Sequence, residues 1–123
     1  MKLYKSLLKE NLASLKEMAN ITPKYSGLKK GVIQIKPELR HVLLPHIHFV
    51  WNVKKSENEF IKIKLAFNIN DMIIMESKNI NLNNKQLEQI KNFIILNYKL
   101  LIKYYFQAEF LDTGDFFIMI KKI

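Results

Sequence analysis

The sequence of 123 residues has no cysteine, a single arginine, three glycines and three prolines. Without cysteine there is no disulfide framework, thiolate zinc site or thiol nucleophile, which fits the reducing cytoplasm where we expect the protein. Apolar runs are short, such as FIIL at 93–96, and none approaches the roughly 20 residues that cross a bilayer. The N-terminus mixes lysines and a glutamate with leucines, which is not the pattern of a signal peptide. No membrane association is therefore predicted.

The charge balance is strongly basic, with a formal net charge of +9. Residues 1–64 carry 13 basic and 5 acidic side chains, whereas residues 65–123 carry 7 and 6. A basic front half is typical of a protein that faces an anionic partner. However, specific phosphate and base recognition favours the planar fork of arginine, and only Arg40 provides it. A solvated, lysine-rich surface is the simpler interpretation.

Hydrophobic spacing predicts an amphipathic helix over residues 1–20. Leucines and Met18 recur at intervals of three and four, with lysine and glutamate between them. Pro23, Gly27 and Gly31 then interrupt the pattern and predict a loop.

Residues 31–77 show the period-two alternation of β-strands. Strands are predicted at 31–37, at 46–53 and at 60–69, with a fourth considered at 71–77. Short polar turns between consecutive strands favour an antiparallel meander.

Residues 83–110 show helical spacing and predict one long helix, with Asn83 or Asn84 as its N-cap. Residues 112–123 predict a short C-terminal helix, capped by Asp112 or Thr113, or an edge strand. The whole chain, 1–123, is thus predicted to be a single α+β domain. We expect an antiparallel three- to four-stranded sheet with an N-terminal helix and a long C-terminal helix packed on one face.

The stretch RHVLLPHIHFVW, residues 40–51, collects all three histidines and the arginine. Alternate side chains of a strand share a face, so His46 and His48 are predicted to point the same way. Three interpretations stay open: a structural role, RNA contact or acid–base catalysis on a phosphodiester, and a metal site. A metal site needs a third ligand, for which the candidates are His41, Asp112 and Asp115.

Three other features are predicted to be structural. The aromatic residues of KYYFQ, 103–107, have the spacing of core residues rather than of a base-stacking surface. The ring of Trp51 is predicted to pack against neighbouring side chains. The LDTGD segment, 111–115, has the Asp-Thr-Gly of aspartic proteases, but it follows a long helix and predicts a helix cap and turn.

Residues 31–110 resemble a small bacterial family of domains of unknown function. The resemblance lies in PHIH at 45–48, similar to that family's Pro-Pro-His-Phe-His strand motif, and in a helix with Asn97, Leu101 and Tyr105. The chain departs from the family at Leu44, which replaces the first proline. The resemblance implies a component of a toxin–antitoxin-like gene pair. The element order is also similar to the double-stranded-RNA-binding-like fold of HicA-type RNase toxins, which implies a histidine acting on RNA.

The functional hypothesis is a cytoplasmic toxin–antitoxin or phage-defence component that binds a cognate protein partner or RNA through a histidine-rich strand face. In an RNase version, His48 is the general base or acid and His46 its counterpart. The alternative is a divalent-metal-binding protein or metal-dependent enzyme that uses the same two histidines. The sequence predicts no resident cofactor. It leaves open whether the protein forms a homodimer. The predicted nucleic-acid-binding residues are Arg40, His41, Lys62 and Lys64.

Overall fold

The computed structural model of the chain describes residues 18–38 and 44–123. Within these ranges the fold is α+β, as predicted. The strands are β1 (Ala19–Ile21), β2 (Val32–Ile35), β3 (His46–Val50), β4 (Phe60–Lys64) and β5 (Ile74–Lys78). The helices are α1 (Pro23–Ser26), α2 (Asn84–Leu96), α3 (Tyr98–Gln107) and α4 (Thr113–Met119). None of these helices combines the length and apolar character needed to cross a membrane.

The strands form one antiparallel sheet in the order β1-β2-β3-β4-β5, which confirms the predicted meander. The predicted count of three to four strands is wrong, because β1 occupies the end of the segment assigned to the N-terminal helix. Ala19 pairs with Ile35 and Ile21 with Ile33, and this long-range pairing outweighs the local helical spacing. The rest of the predicted N-terminal helix, 1–17, lies outside the described residues.

The hydrophobic core lies between one face of the sheet and the helices α2 and α3. Because side chains alternate along a strand, the isoleucines of β2, β3 and β4 point to the same face. Tyr104 and Tyr105, in the KYYFQ segment, are each 1% exposed, which confirms their prediction as core. The buried side chains that meet across this layer include Ile33, Ile47, Phe49, Ile61, Ile63, Ile90, Phe93 and Leu101.

The predicted long helix is divided at Asn97, which separates α2 from α3. The Asn97 side chain is buried and bonds backbone groups: its Oδ1 accepts from Lys121 N at 2.7 Å, and its Nδ2 donates to Lys121 O at 2.9 Å and to Phe93 O at 3.1 Å. An asparagine amide competes in this way with helical backbone bonds. Apolar residues keep their spacing on both sides, so periodicity alone predicted a continuous helix.

Side-chain caps fix where α2 and α4 begin. Asn83 and Gln86 form a reciprocal capping box at the start of α2. Asp112 Oδ1 accepts from Gly114 N at 2.7 Å and from Asp115 N at 3.2 Å at the start of α4. The Asp-Thr-Gly segment is therefore a helix cap, as predicted, and Thr113–Met119 is the helix rather than the edge strand.

Candidate functional site

One face of the sheet carries a polar side chain from each of the five strands. Residues directly opposite one another in antiparallel strands point to the same face, so these side chains form a line across the sheet. The other face carries the isoleucines of the core. The polar row, in strand order, consists of Asn20, Gln34, His48, Lys62 and Glu76.

The two histidines of β3 lie side by side on this polar face. The ring centroids of His46 and His48 are 5.4 Å apart, with 35° between the ring planes. Both side chains are half-buried. The predicted arrangement, two imidazoles projecting together from one strand, is confirmed.

The two imidazoles are part of a longer series of ring contacts. His48 stacks on Phe60, with ring centroids 5.0 Å apart and 28° between the planes. On the other side, His46 meets Tyr105 edge to face at 5.6 Å. We refer to Tyr105, His46, His48 and Phe60 as the aromatic ladder. Sequence analysis missed both flanking rings, because they come from β4 and α3 rather than from the histidine strand.

Hydrogen bonds fix the orientation of His46. Its Nδ1 lies 2.7 Å from the carbonyl oxygen of Leu44, so Nδ1 carries the proton and donates it. The Tyr105 hydroxyl donates to the same carbonyl at 3.3 Å and lies 3.5 Å from Nδ1. This tautomer leaves the lone pair of His46 on Nε2.

Burial lowers the pKa of both imidazoles and so favours their neutral forms. It lowers the pKa of His48 from 6.5 to about 4, with smaller lowering effects from His46 and Lys62 and an opposing effect from Glu76. Burial also lowers the pKa of His46, against the raising effect of its bond to Leu44 O. A general acid must be protonated before it can act. The lowered pKa values therefore favour the base form of these imidazoles over the acid form.

Two of the four predicted nucleic-acid-binding residues lie beside the aromatic ladder. Lys62 is opposite His48 and Lys64 is opposite His46 in the pairing of β3 with β4. Both lysines are half-buried. The other two, Arg40 and His41, lie outside the described residues.

Gln34 is a member of the polar row that sequence analysis did not single out. It is only 4% exposed. Its Nε2 donates to Asn20 Oδ1 at 2.8 Å, whereas its Oε1 has no hydrogen-bond partner among the described residues. An unpaired buried acceptor costs free energy. The alternation in VIQIK placed Gln34 opposite the isoleucines, but only the strand register brings it next to His48.

The described residues hold no group of three histidine, cysteine, aspartate or glutamate side chains able to bind a metal ion. Asp112 and Asp115, predicted as possible third ligands, lie at the start of α4, where Asp112 serves as the cap. His41, the remaining candidate, is outside the described ranges. The metal interpretation of His46 and His48 thus stays a prediction without an identified third ligand.

A cavity of about 310 Å³ lies between Trp51 and the start of α2, away from the histidines. Trp51 packs its ring edge to face with Phe49 at 4.9 Å, as predicted, and Lys30 Nζ lies 4.8 Å from the indole centroid. Lys29 and Lys85 also line this cavity.

No protein-family model, curated protein or solved structure matches this chain. The geometry and electrostatics of the polar face are therefore the support for a functional proposal.

Proposed function

We propose that this chain binds single-stranded RNA through the sheet face that carries the aromatic ladder, as a component of a toxin–antitoxin or phage-defence pair. The observation that supports the proposal most is the series of ring contacts between His46, His48 and Phe60, beside Lys62 and Lys64. Proteins that bind single strands combine rings on which bases stack with cations that follow the phosphates. Duplexes keep their bases stacked on one another, so a platform of this kind favours an unpaired strand.

The proposed role of the imidazoles is stacking rather than proton transfer. A neutral imidazole can stack on a base as a phenyl ring can, and the lowered pKa of His48 favours its neutral form. Lys62 and Lys64 supply the positive charge. Cleavage by an acid–base pair needs one protonated imidazole, which these pKa shifts disfavour near pH 7.

The salt dependence of RNA affinity tests the lysines. We would measure the fluorescence anisotropy of labelled oligouridine and oligoadenosine, roughly a dozen nucleotides long, over a series of salt concentrations. Each phosphate contact contributes about −0.7 to the slope of log affinity against log salt, so Lys62→Gln with Lys64→Gln is expected to reduce the slope by about 1.4. The matched control is Lys54→Gln with Lys55→Gln on the exposed turn Val53–Lys55, which is expected to change little. A flat salt series, or equal losses in both double variants, would count against the proposal.

Substitution of His48 separates stacking from catalysis. His48→Ala is expected to weaken binding about tenfold or more, because one base–ring contact is lost. His48→Phe keeps the ring, so it is expected to retain most of the affinity. RNA incubated with the protein and a chelator is expected to stay intact. Degradation that His48→Phe abolishes would replace the binding proposal with the RNase version.

The gene-pair setting rests on the resemblance of residues 31–110 alone. Expression of this chain without a partner is expected to slow bacterial growth, and a small co-transcribed neighbour is expected to relieve the effect. Unchanged growth would reject the toxin role and leave RNA binding to be judged by the affinity measurements.

A further inference from the structure

An apolar cleft lies where α2 meets α3, beside the end of α4 and the loop after β4. We refer to it as the helix-joint cleft, and its volume is about 430 Å³. Its apolar walls include Phe67, Leu96, Tyr98 and Met119. Phe67 is 68% exposed, Met119 53% and Leu96 45%. Large apolar side chains that are exposed together around one cleft are typical of an interaction surface.

Hydrogen bonds within the chain fix one of the residues that line the cleft. Asn97 lines the cleft and joins the helix break to Lys121 through two bonds of 2.7 and 2.9 Å. Phe67 meets Tyr98 edge to face at 5.7 Å. These contacts order Asn97, Phe67 and Tyr98 before a partner binds, which lowers the entropy cost of binding.

The charges around the cleft have one sign. Lys99, Lys103 and Lys121 line it, and no acidic residue is among the described residues that do so. A symmetric contact between two copies would bring these lysines towards one another, in a protein whose net charge is already +9. The complementary occupant is therefore a different molecule that carries carboxylates next to an apolar surface.

The elements around the cleft indicate the shape of that occupant. Leu96 is on α2, Tyr98 on α3 and Met119 on α4, while Phe67 lies on a loop. Within the described ranges the cleft therefore offers no strand edge to which a β-strand could add. A groove between helices accepts the apolar face of another helix, read at positions three and four apart. We infer that the helix-joint cleft binds an amphipathic helix of a partner protein, with its apolar face between Phe67, Leu96 and Met119 and its glutamates or aspartates on the lysines.

The test uses two designed peptides with the full chain. Both are amphipathic helices of roughly four turns with the same leucine face, one flanked by glutamates and the other by lysines. We expect saturable binding of the glutamate peptide by fluorescence anisotropy and at least about tenfold weaker binding of the lysine peptide. Absence of saturable binding, or equal binding of both peptides, would overturn the inference.

Variants assign the binding to the cleft. Phe67→Ala and, separately, Met119→Ser are each expected to weaken binding of the glutamate peptide about tenfold. The matched control is Phe110→Ala, because Phe110 is 74% exposed but does not line the cleft. Lys99→Glu with Lys103→Glu is expected to reverse the preference between the two peptides. Equal weakening by Phe110→Ala would overturn the inference.

Two other occupants give distinct results. If sedimentation shows a dimer that Phe67→Ala disrupts, the cleft binds a second copy of this chain and the inference is wrong. If unlabelled single-stranded RNA displaces the glutamate peptide, the cleft is a nucleic-acid contact and the inference is again wrong. Failure of RNA binding at the aromatic ladder would leave the peptide result unchanged, because the two surfaces share no residue.

Discussion

The two faces of the sheet are formed by alternate residues of the same strands, yet they have different physical properties. On the core face the side chains of β2, β3 and β4 are apolar and buried, as with Ile47 and Ile63, which are both 0% exposed. The polar face holds two half-buried imidazoles and one buried amide oxygen without a partner among the described residues. Packing among apolar side chains explains the buried residues of the first face. The second face contains groups that cost stability, and such groups are commonly found where a protein binds or reacts.

Removing a phenylalanine from each face gives the largest expected contrast. Phe49→Ala, on the core face, is expected to lower the free energy of unfolding by about 3–5 kcal/mol, because it leaves a cavity. Phe60→Ala, on the polar face, is expected to cost about 1–2 kcal/mol, because this ring is only half-buried. Urea denaturation measures both. Equal losses would show that the polar face contributes to the core as much as its opposite does.

The pH dependence of stability probes the buried imidazoles. The pKa of His48 is about 4 in the folded protein and 6.5 when it is exposed, so the unfolded chain takes up the proton first. Stability that is fully present above about pH 6.5 is therefore lost as the pH falls towards about 4. Allowing for partial solvent access, the loss is about 1–2 kcal/mol.

The variant His48→Phe cannot be protonated at this position, so comparing it with the natural chain isolates the contribution of His48 to the pH dependence of stability. Urea midpoints at about pH 7.5 and about pH 4.5 are expected to differ less in the variant than in the natural chain. His46→Phe is expected to reduce the difference in the same direction, because burial also lowers the pKa of His46. An unchanged difference in both variants would mean that the imidazoles are not the groups that titrate.

A smaller effect is expected at Gln34. Gln34→Leu removes an unpaired buried acceptor, so the free energy of unfolding is expected to rise by about 1 kcal/mol. Asn20→Ala, which removes only the exposed partner of Gln34 Nε2, is the control and is expected to lower stability slightly. A marked loss of stability in Gln34→Leu would indicate that the amide oxygen has a partner in solution.

The smallest effect on stability is expected from the lysines of the polar face. Lys62→Gln and Lys64→Gln are each expected to change the free energy of unfolding by less than about 0.5 kcal/mol. The same variants are the ones expected to lose RNA affinity, so the two measurements separate binding from folding. A large loss of stability would mean that the lysine stems pack as part of the fold.

The alternation in HIHFV and FIKIK was enough to predict the meander, the core face and the shared face of His46 and His48, because strand parity is a local property. The neighbours of the histidines were beyond local patterns. Tyr105 is 59 residues from His46 along the chain, and Gln34 reaches His48 only through the register of β2 on β3. The lowered pKa values follow from burial, which these long-range contacts determine. Arg40 and His41 stay predictions.

Elements were misjudged where a short segment or a single residue decided the structure. Three residues suffice for β1 because they pair along the edge of β2, whereas the spacing around them was typical of a helix. At Asn97 one buried amide ends α2 without disturbing the apolar spacing on either side. Sequence patterns average over several turns or residues, so single-residue breaks of this kind escape them.

The segment 121–123 bonds two parts of the described structure that are far apart in the sequence. Lys121 bonds Asn97 at the joint between α2 and α3, and Ile123 N donates to the carbonyl oxygen of Ser26 at 3.0 Å, next to the sheet edge. These three residues thus connect the helices to the edge of the sheet. A change in the angle between α2 and α3 would displace Lys121 and so strain the hydrogen bond between Ile123 and Ser26. The angle between these two helices and the position of α1 are therefore coupled.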